Sequence, residues 1–301
     1  MDYIRFWGVR GSYATPYPSH IKIGGNTSCV EIRVDDQILI CDAGTGIIQL
    51  GNELMQQKSS RIHILLTHYH WDHICGLPFF VPAFIPNWKI NFFGPGKSDD
   101  QVKQFISDQM TPPYFPVETE QWLAEIAYHH ISKPLHIGPF KIESFNVHHP
   151  GSTYGYRIET KDKVIVYVSD NELAYTSASI AHEIKNGTAL NSQELELYQK
   201  MHKEETELEI NFMKNVDFLI HDAQYTAEDY EKKRGWGHSC YIDTVKSAIS
   251  ANVKNLYLYH HDPYYNDKEI SIIHSEAKSI ILKEKSETLC HLAKEGDKII
   301  F

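Results

Sequence analysis

The chain has 301 residues, 42 % of them hydrophobic and 23 % charged, with 29 Lys and Arg against 39 Asp and Glu for a formal net charge of −10. This is globular composition, which excludes a disordered or fibrous chain. The acidic balance weighs against a protein that wraps long nucleic acid through its phosphates.

Cysteines stand at 29, 41, 75, 240 and 290 with no CxxC pair, the pattern of reduced thiols. No apolar signal core follows Met1, and no apolar run reaches the roughly 18 residues of a membrane helix. A cytoplasmic protein with no membrane contact is expected.

Taken in chain order, Tyr3–Val9 alternates as a strand, and Cys29–Val34 and Gln37–Cys41 form a hairpin about Asp35 and Asp36. Gly46–Gln57 carries apolar residues at helical spacing, and Arg61–Leu66 is a short buried strand. After Thr67 comes a histidine-rich turn, a short helix and a strand at Lys89–Phe93. Val102–Met110 is helical, but the prolines at 112, 113 and 116 forbid a helix through Pro112–Val117. Strands follow at Leu135–Ile137, Phe140–Val147, Tyr154–Glu159 and Lys163–Ser169. Residues 174–212 carry a charged helical pattern, clearest over Ser192–Glu209. Asp217–His221 and Asn255–His260 are strands with a helix at Ile242–Ala251 between them; a helix at Ile270–Lys283 and a strand at Lys298–Phe301 close the chain. With no linker and no repeat of 20–50 residues, residues 1–301 read as one domain of two layered sheets with helices outside and a helical insertion at about 174–212.

Among 18 histidines the densest signal is Thr67-His68-Tyr69-His70-Trp71-Asp72-His73, directly after an apolar strand. His68 and His70 are two apart, so in extended chain their imidazoles point the same way. Asp72 and His73 fall on the next turn and can face an adjacent point. One short segment thus offers ligands to two neighbouring metal ions.

His68-x-His70-x-Asp72-His73 resembles the signature of the metallo-β-lactamase superfamily, in particular its di-zinc hydrolases. Phe6–Ser12, Gly24–Ser28 and Cys41–Gly46 are similar to the segments that precede the motif there. The resemblance implies an α/β fold, the four-layer αββα sandwich, with metals at one edge of the sheets. It implies three later ligands. His149 precedes Pro150-Gly151, with His148 as its rival; Asp170 ends a strand and would bridge the metals; His260 ends a late strand, with His261 as its rival. His68, His70 and His149 would then hold one ion and Asp72, His73 and His260 the other. Nitrogen and oxygen donors suit two Zn2+, with Mn2+ or Fe2+ compatible. Cys75 reads as a packed thiol and Asp42 as a support for the metal loop.

Two further motifs, Leu219–Thr226 and Gly235–Ser239, resemble paired elements of the tRNA 3′-processing endonucleases and their phosphodiesterase relatives. The resemblance makes His238 the general acid and Asp222 its orienter, with Asp72 helping to orient the nucleophile. An alkoxide leaves phosphorus poorly unless it is protonated. His221 is as well read as a structural strand-end residue. The insertion is acidic (Glu194, Glu196, Glu204, Glu205, Glu207, Glu209) and lacks the basic Gly/Pro-rich arm of the RNA-processing relatives. Tyr114 and Phe115 offer rings for a base to stack on; Arg10 and Arg157 offer phosphate contacts or structural bonds.

The expectation is therefore a phosphodiesterase acting through a metal-bridging hydroxide on a small anionic nucleotide, 3′,5′-cyclic nucleotides first, with long nucleic acid disfavoured and a homodimer by analogy. The alternatives are an RNA 3′-end processing endonuclease, a thioester or lactone hydrolase, and a non-catalytic metal sensor.

Overall fold

Strands whose alternate residues are apolar on both faces build two stacked sheets in this computed structural model, which describes residues 1–57, 61–173, 175, 180 and 191–301. The first sheet holds β1 (Tyr3–Gly8), β2 (Cys29–Val34), β3 (Gln37–Cys41), β4 (Arg61–Leu65), β5 (Lys89–Gly94), β6 (Glu125–His130) and β14 (Lys298–Ile300), in the order β14-β1-β2-β3-β4-β5-β6. The second holds β7 (Leu135–Ile137), β8 (Phe140–Asn146), β9 (Tyr154–Glu159), β10 (Val164–Val168), β11 (Phe218–Asp222), β12 (Asn255–Tyr259) and β13 (Leu289–Leu292), in the order β13-β12-β11-β10-β9-β8-β7.

The two-residue period of a strand decides which layer each side chain joins. Along β3, Leu39 and Cys41 enter the core between the sheets with Val166 and Ile220 of the second sheet. Ile38 and Ile40 turn to the other face and pack with α1 (Gly46–Leu54) and α3 (Asp99–Asp108) through Leu50, Leu54, Val102 and Ile106. A third helix between them, α2 (Trp71–Ile74), is a single turn. On the far side, α6 (Tyr241–Ser250) and α7 (Asp267–Lys283) cover the second sheet with Val245, Ala248, Ile270 and Ile273. These four layers are the expected αββα sandwich.

The β2–β3 hairpin turns on Asp35 and Asp36, both at positive φ (48° and 62°), the backbone of a two-residue turn matched to strand twist. Strands β3 to β6 run parallel, as do β10 to β13. Their carboxyl ends release the chain into loops at one edge of both sheets, where open parallel sheets bind ligands.

Five elements differ from expectation. Strands β6 and β13 and helix α5 (Ala227–Lys233) were not foreseen, because β6 is only partly buried and the other two are short. Helix α7 begins at Asp267 because Asn266 caps it, accepting from the amides of Lys268 and Glu269. Helix α4 (Ser192–Met213) runs past Glu209. In the expected insertion, residues 174, 176–179 and 181–190 lie outside the described residues. Among the described residues, no helix is long and apolar enough to cross a membrane.

Candidate metal centre

The site begins where β4 ends. Asp42, at the end of β3 and itself at φ 60°, accepts from the Thr67 amide (2.8 Å) and hydroxyl (3.0 Å) and so anchors the chain as it leaves the sheet. His68 and His70 then present their rings to the same side, with centroids 4.4 Å apart, and α2 turns Asp72 and His73 inward. Gly44 makes this approach feasible: a Cβ there would lie 2.2 Å from the Asp72 carbonyl oxygen.

The second sheet supplies the rest. Asp170 follows β10, His149 sits in the β8–β9 loop and His260 follows β12. Their donor atoms meet the first segment in two adjoining groups, His68, His70 and His149 in one, and Asp72, His73, Asp170 and His260 in the other, each within 4.8 Å. Asp170 faces both: Oδ1 lies 3.0 Å from His73 Nε2 and 3.2 Å from His260 Nε2, while Oδ2 lies 3.6 Å from His149 Nε2 and 3.8 Å from His68 Nε2.

Four of the five imidazoles, all but that of His70, are aimed by a bond at the opposite ring nitrogen. His73 Nδ1 bonds Asp42 Oδ2 at 2.8 Å, His149 Nδ1 the Gly237 carbonyl at 2.8 Å, His260 Nδ1 Gln224 Oε1 at 2.9 Å, and His68 Nδ1 Thr67 Oγ1 at 3.1 Å. Asp72 Oδ2 accepts from the Ser12 amide at 2.8 Å. Ser12 and His260 both sit at positive φ (62° and 56°), strained backbone of the kind that clusters at functional sites.

These residues fit a pair of cations. His68 Nε2, His73 Nε2 and Asp170 Oδ1 are buried with no hydrogen-bond partner, although buried polar atoms are rarely left so. Burial pushes His68, His70 and His149 below the usual imidazole range, which keeps them neutral donors. At His73 burial acts the same way but is outweighed by Asp170, Asp72 and Asp42, which raise it. Three buried carboxylates around one imidazole make a concentration of negative charge that cations relieve.

His238 closes the edge of the cluster. Its ring stacks on His260 at 5.1 Å, its Nδ1 bonds Asp222 Oδ2 at 2.9 Å, and Asp170 Oδ2 lies 3.8 Å away. Asp222 Oδ1 also accepts from the Gln224 amide at 2.9 Å. Gly237 needs to be glycine: its φ is +85° and a Cβ would lie 2.4 Å from His149 Nδ1. Sequence reasoning missed Glu172, which is fully buried and accepts from the amides of Gly235 (2.8 Å) and Gly237 (2.9 Å) and from Tyr230 Oη (3.0 Å), pinning the loop that carries His238. It also left Gln224 without a role; position alone, inside a motif already singled out, was the available signal.

The doubled histidines resolve by direction. His148 stacks on Tyr175, and His261 bonds the Ala293 carbonyl at 3.1 Å, so neither joins the cluster. Arg10 is buried against the carbonyls of Gly24, Asp262 and Tyr265, and Arg157 against Glu159 and the Phe212 carbonyl; both are structural. His221 is buried and bonds the Asp222 carbonyl. Phe115 packs edge-on against Phe79, while Tyr114 is exposed. Cys75 Sγ faces Thr27 Oγ1 at 3.8 Å.

The sequence pattern described as the beta-lactamase superfamily domain matches residues 37–191. Ribonuclease Z of Picrophilus torridus is 26 % identical over 92 % of this chain and 90 % of its own. Among solved structures, the metallo-beta-lactamase fold protein YhfI from Bacillus subtilis superposes with a TM-score of 0.68 at 18 % identity, covering 99 % of this chain and 98 % of its own. Human tRNase Z, short form, superposes with a TM-score of 0.61 at 16 % identity, covering 100 % and 99 %; these two likenesses show the fold. The ribonuclease Z relatives overturn one expectation, that long nucleic acid is disfavoured as a partner. The net charge of −10 sums the whole surface, whereas a nucleic acid meets the local field of one cleft.

Proposed function

We propose, from the premise that this chain belongs to the beta-lactamase superfamily, that it is an endonuclease acting on the 3′ end of RNA, a precursor tRNA being the substrate class. Membership makes it a metal-dependent hydrolase. The RNA reading replaces cyclic nucleotides as the favoured substrate because the curated relatives are named ribonuclease Z over nine-tenths of the chain. The observation that carries the chemistry is the buried His238–Asp222 pair at 2.9 Å beside the donor cluster. A thioester hydrolase, whose thiolate leaves unaided, has no comparable need to protonate a poor leaving group.

His68, His70 and His149 would hold one cation and Asp72, His73 and His260 the other, with Asp170 between them. Donors of nitrogen and oxygen without thiolate favour Zn2+. When bound, such a pair supplies a water of lowered pKa and neutralises charge on the phosphoryl oxygens. The protein does the rest. Asp72, fixed by the Ser12 amide, orients the attacking water. His238 protonates the departing ribose oxygen as the new oxygen–phosphorus bond forms and the old one breaks. Asp222 holds the ring through Nδ1, which leaves Nε2 as the nitrogen that gives up the proton.

The test is a panel of a 3′-extended precursor tRNA, cyclic AMP and bis(p-nitrophenyl) phosphate against zinc-loaded protein, with Asp170→Ala as the blank. Cleavage of the precursor near the end of its acceptor stem is expected. Turnover of cyclic AMP with the precursor left intact would overturn the reading.

A further inference from the structure

Beside the donor cluster lies a pocket of about 460 Å3, within the roughly 300–1,000 Å3 of small-ligand sites. His68 and His70 form its floor, and Tyr69, Phe105 and Tyr154 supply aromatic walls. The walls are set in place. Tyr69 and Phe105 meet with centroids 4.8 Å apart, Tyr69 Oη donates to the Pro95 carbonyl at 2.8 Å, and the Tyr154 amide donates to the Thr67 carbonyl at 2.9 Å. Lys97 stands exposed on the lining with no carboxylate partner among the described residues. None of these walls is needed to hold a cation.

We propose that this pocket seats the nucleobase of the nucleotide that keeps the scissile phosphate. The inference rests on the RNA reading above and adds to it a specificity subsite. The argument is one of direction. His238 serves the leaving oxygen, and its ring, set among His149, His260 and Asp222, lies outside the pocket lining. The departing nucleotide therefore occupies the His238 side, and its neighbour across the phosphate is turned to the His68 and His70 side, where the pocket opens. Base faces stack on aromatic side chains whatever their sequence, and an unpaired Lys97 at the mouth suits the next phosphate along the chain. A base-paired nucleotide cannot enter a walled pocket, so the subsite selects an unpaired nucleotide at this position.

The test is a cycle between protein and substrate. A 3′-extended precursor is made with a normal or an abasic nucleotide immediately across the scissile phosphate from the leaving group. Both are cleaved by zinc-loaded wild type, by Phe105→Ala and by Phe105→Leu, the last keeping apolar packing against Tyr69 without the ring. Loss of the base is expected to lower kcat/KM for wild type about tenfold and to cost either variant, which keeps the Tyr69 and Tyr154 walls, clearly less. A second readout needs no turnover: 2-aminopurine at the same position is quenched on binding metal-free wild type and is quenched less on binding Phe105→Leu. Equal losses in wild type and variants, or quenching undiminished by loss of the ring, overturns the subsite and leaves the RNA reading standing. No cleavage of any RNA by wild type overturns the reading and the subsite together.

Discussion

His73 Nδ1 donates to Asp42 Oδ2 at 2.8 Å, and the same carboxylate oxygen accepts from Tyr167 Oη at 2.8 Å. Asp42 thus ties a candidate ligand of the first sheet's loop to a strand of the second sheet, and all three side chains are buried. Its effect on the metal is through orientation: the bond fixes the tautomer of His73 and leaves Nε2 facing Asp170. Replacement of such a partner typically lowers metal affinity about 10–100-fold. Asp42→Asn is expected to bind zinc that much more weakly in competition with a chelator while keeping its circular dichroism spectrum. Unchanged affinity would assign Asp42 to folding alone.

His238→Ala separates leaving-group assistance from the rest of the site. A general acid contributes roughly 10²–10⁴-fold when the departing oxygen is a poor leaving group. Cleavage of the precursor RNA should fall by that amount, whereas hydrolysis of bis(p-nitrophenyl) phosphate, whose phenolate leaves without help, should fall far less. Parallel losses on both substrates would show that His238 acts by holding the site together.

Glu172 reaches that histidine through the loop. Its carboxylate holds the amides of Gly235 and Gly237, so Glu172→Ala should let His238 drift, with a loss of roughly 10–100-fold that appears in kcat rather than KM. The same leaving-group dependence should shrink in this variant. A loss confined to thermal stability would make Glu172 a fold residue only.

The strands and the ligand-type motif were legible because each depends on local pattern, whereas the His238–Asp222 pair came from the resemblance of its two motifs to the tRNA 3′-processing endonucleases. Alternation marked Cys29–Val34 and Gln37–Cys41, and five ligand-type or capping residues from Thr67 to His73 stand directly after a strand. The choice between His260 and His261 was not legible, because it turns on a positive φ at His260 that points one ring into the cluster and sends the next to the Ala293 carbonyl. Strand β6 escaped notice because Glu125–His130 is only partly buried, so no apolar alternation marks the segment that pairs with β5. Net charge misled about the partner, since a sum over 301 residues carries no information on where the charges lie.

Glu209, on the buried face of α4, gives a pH dependence of stability. Burial raises its carboxyl to about 8, with Glu205 adding to the rise and a bond from Asn171 opposing it. The folded state therefore holds a proton that the unfolded chain releases near pH 4.3. Stability contributed by the neutral form is full below that value and declines as pH rises toward 8, with a slope approaching ~1.4 kcal/mol per pH unit. Chemical denaturation between pH 5 and 8 should show this decline in wild type and a flatter profile in Glu209→Gln. Equal slopes would place the proton elsewhere.

The most direct measurement is metal stoichiometry by elemental analysis of purified, zinc-equilibrated protein, in wild type and in Asp170→Ala. Side chains from His68 to His260 arranged about two adjoining points predict two equivalents per wild-type chain and one or fewer in the variant. One equivalent in wild type, or two in both proteins, would contradict the shared role of Asp170 on which the account is built.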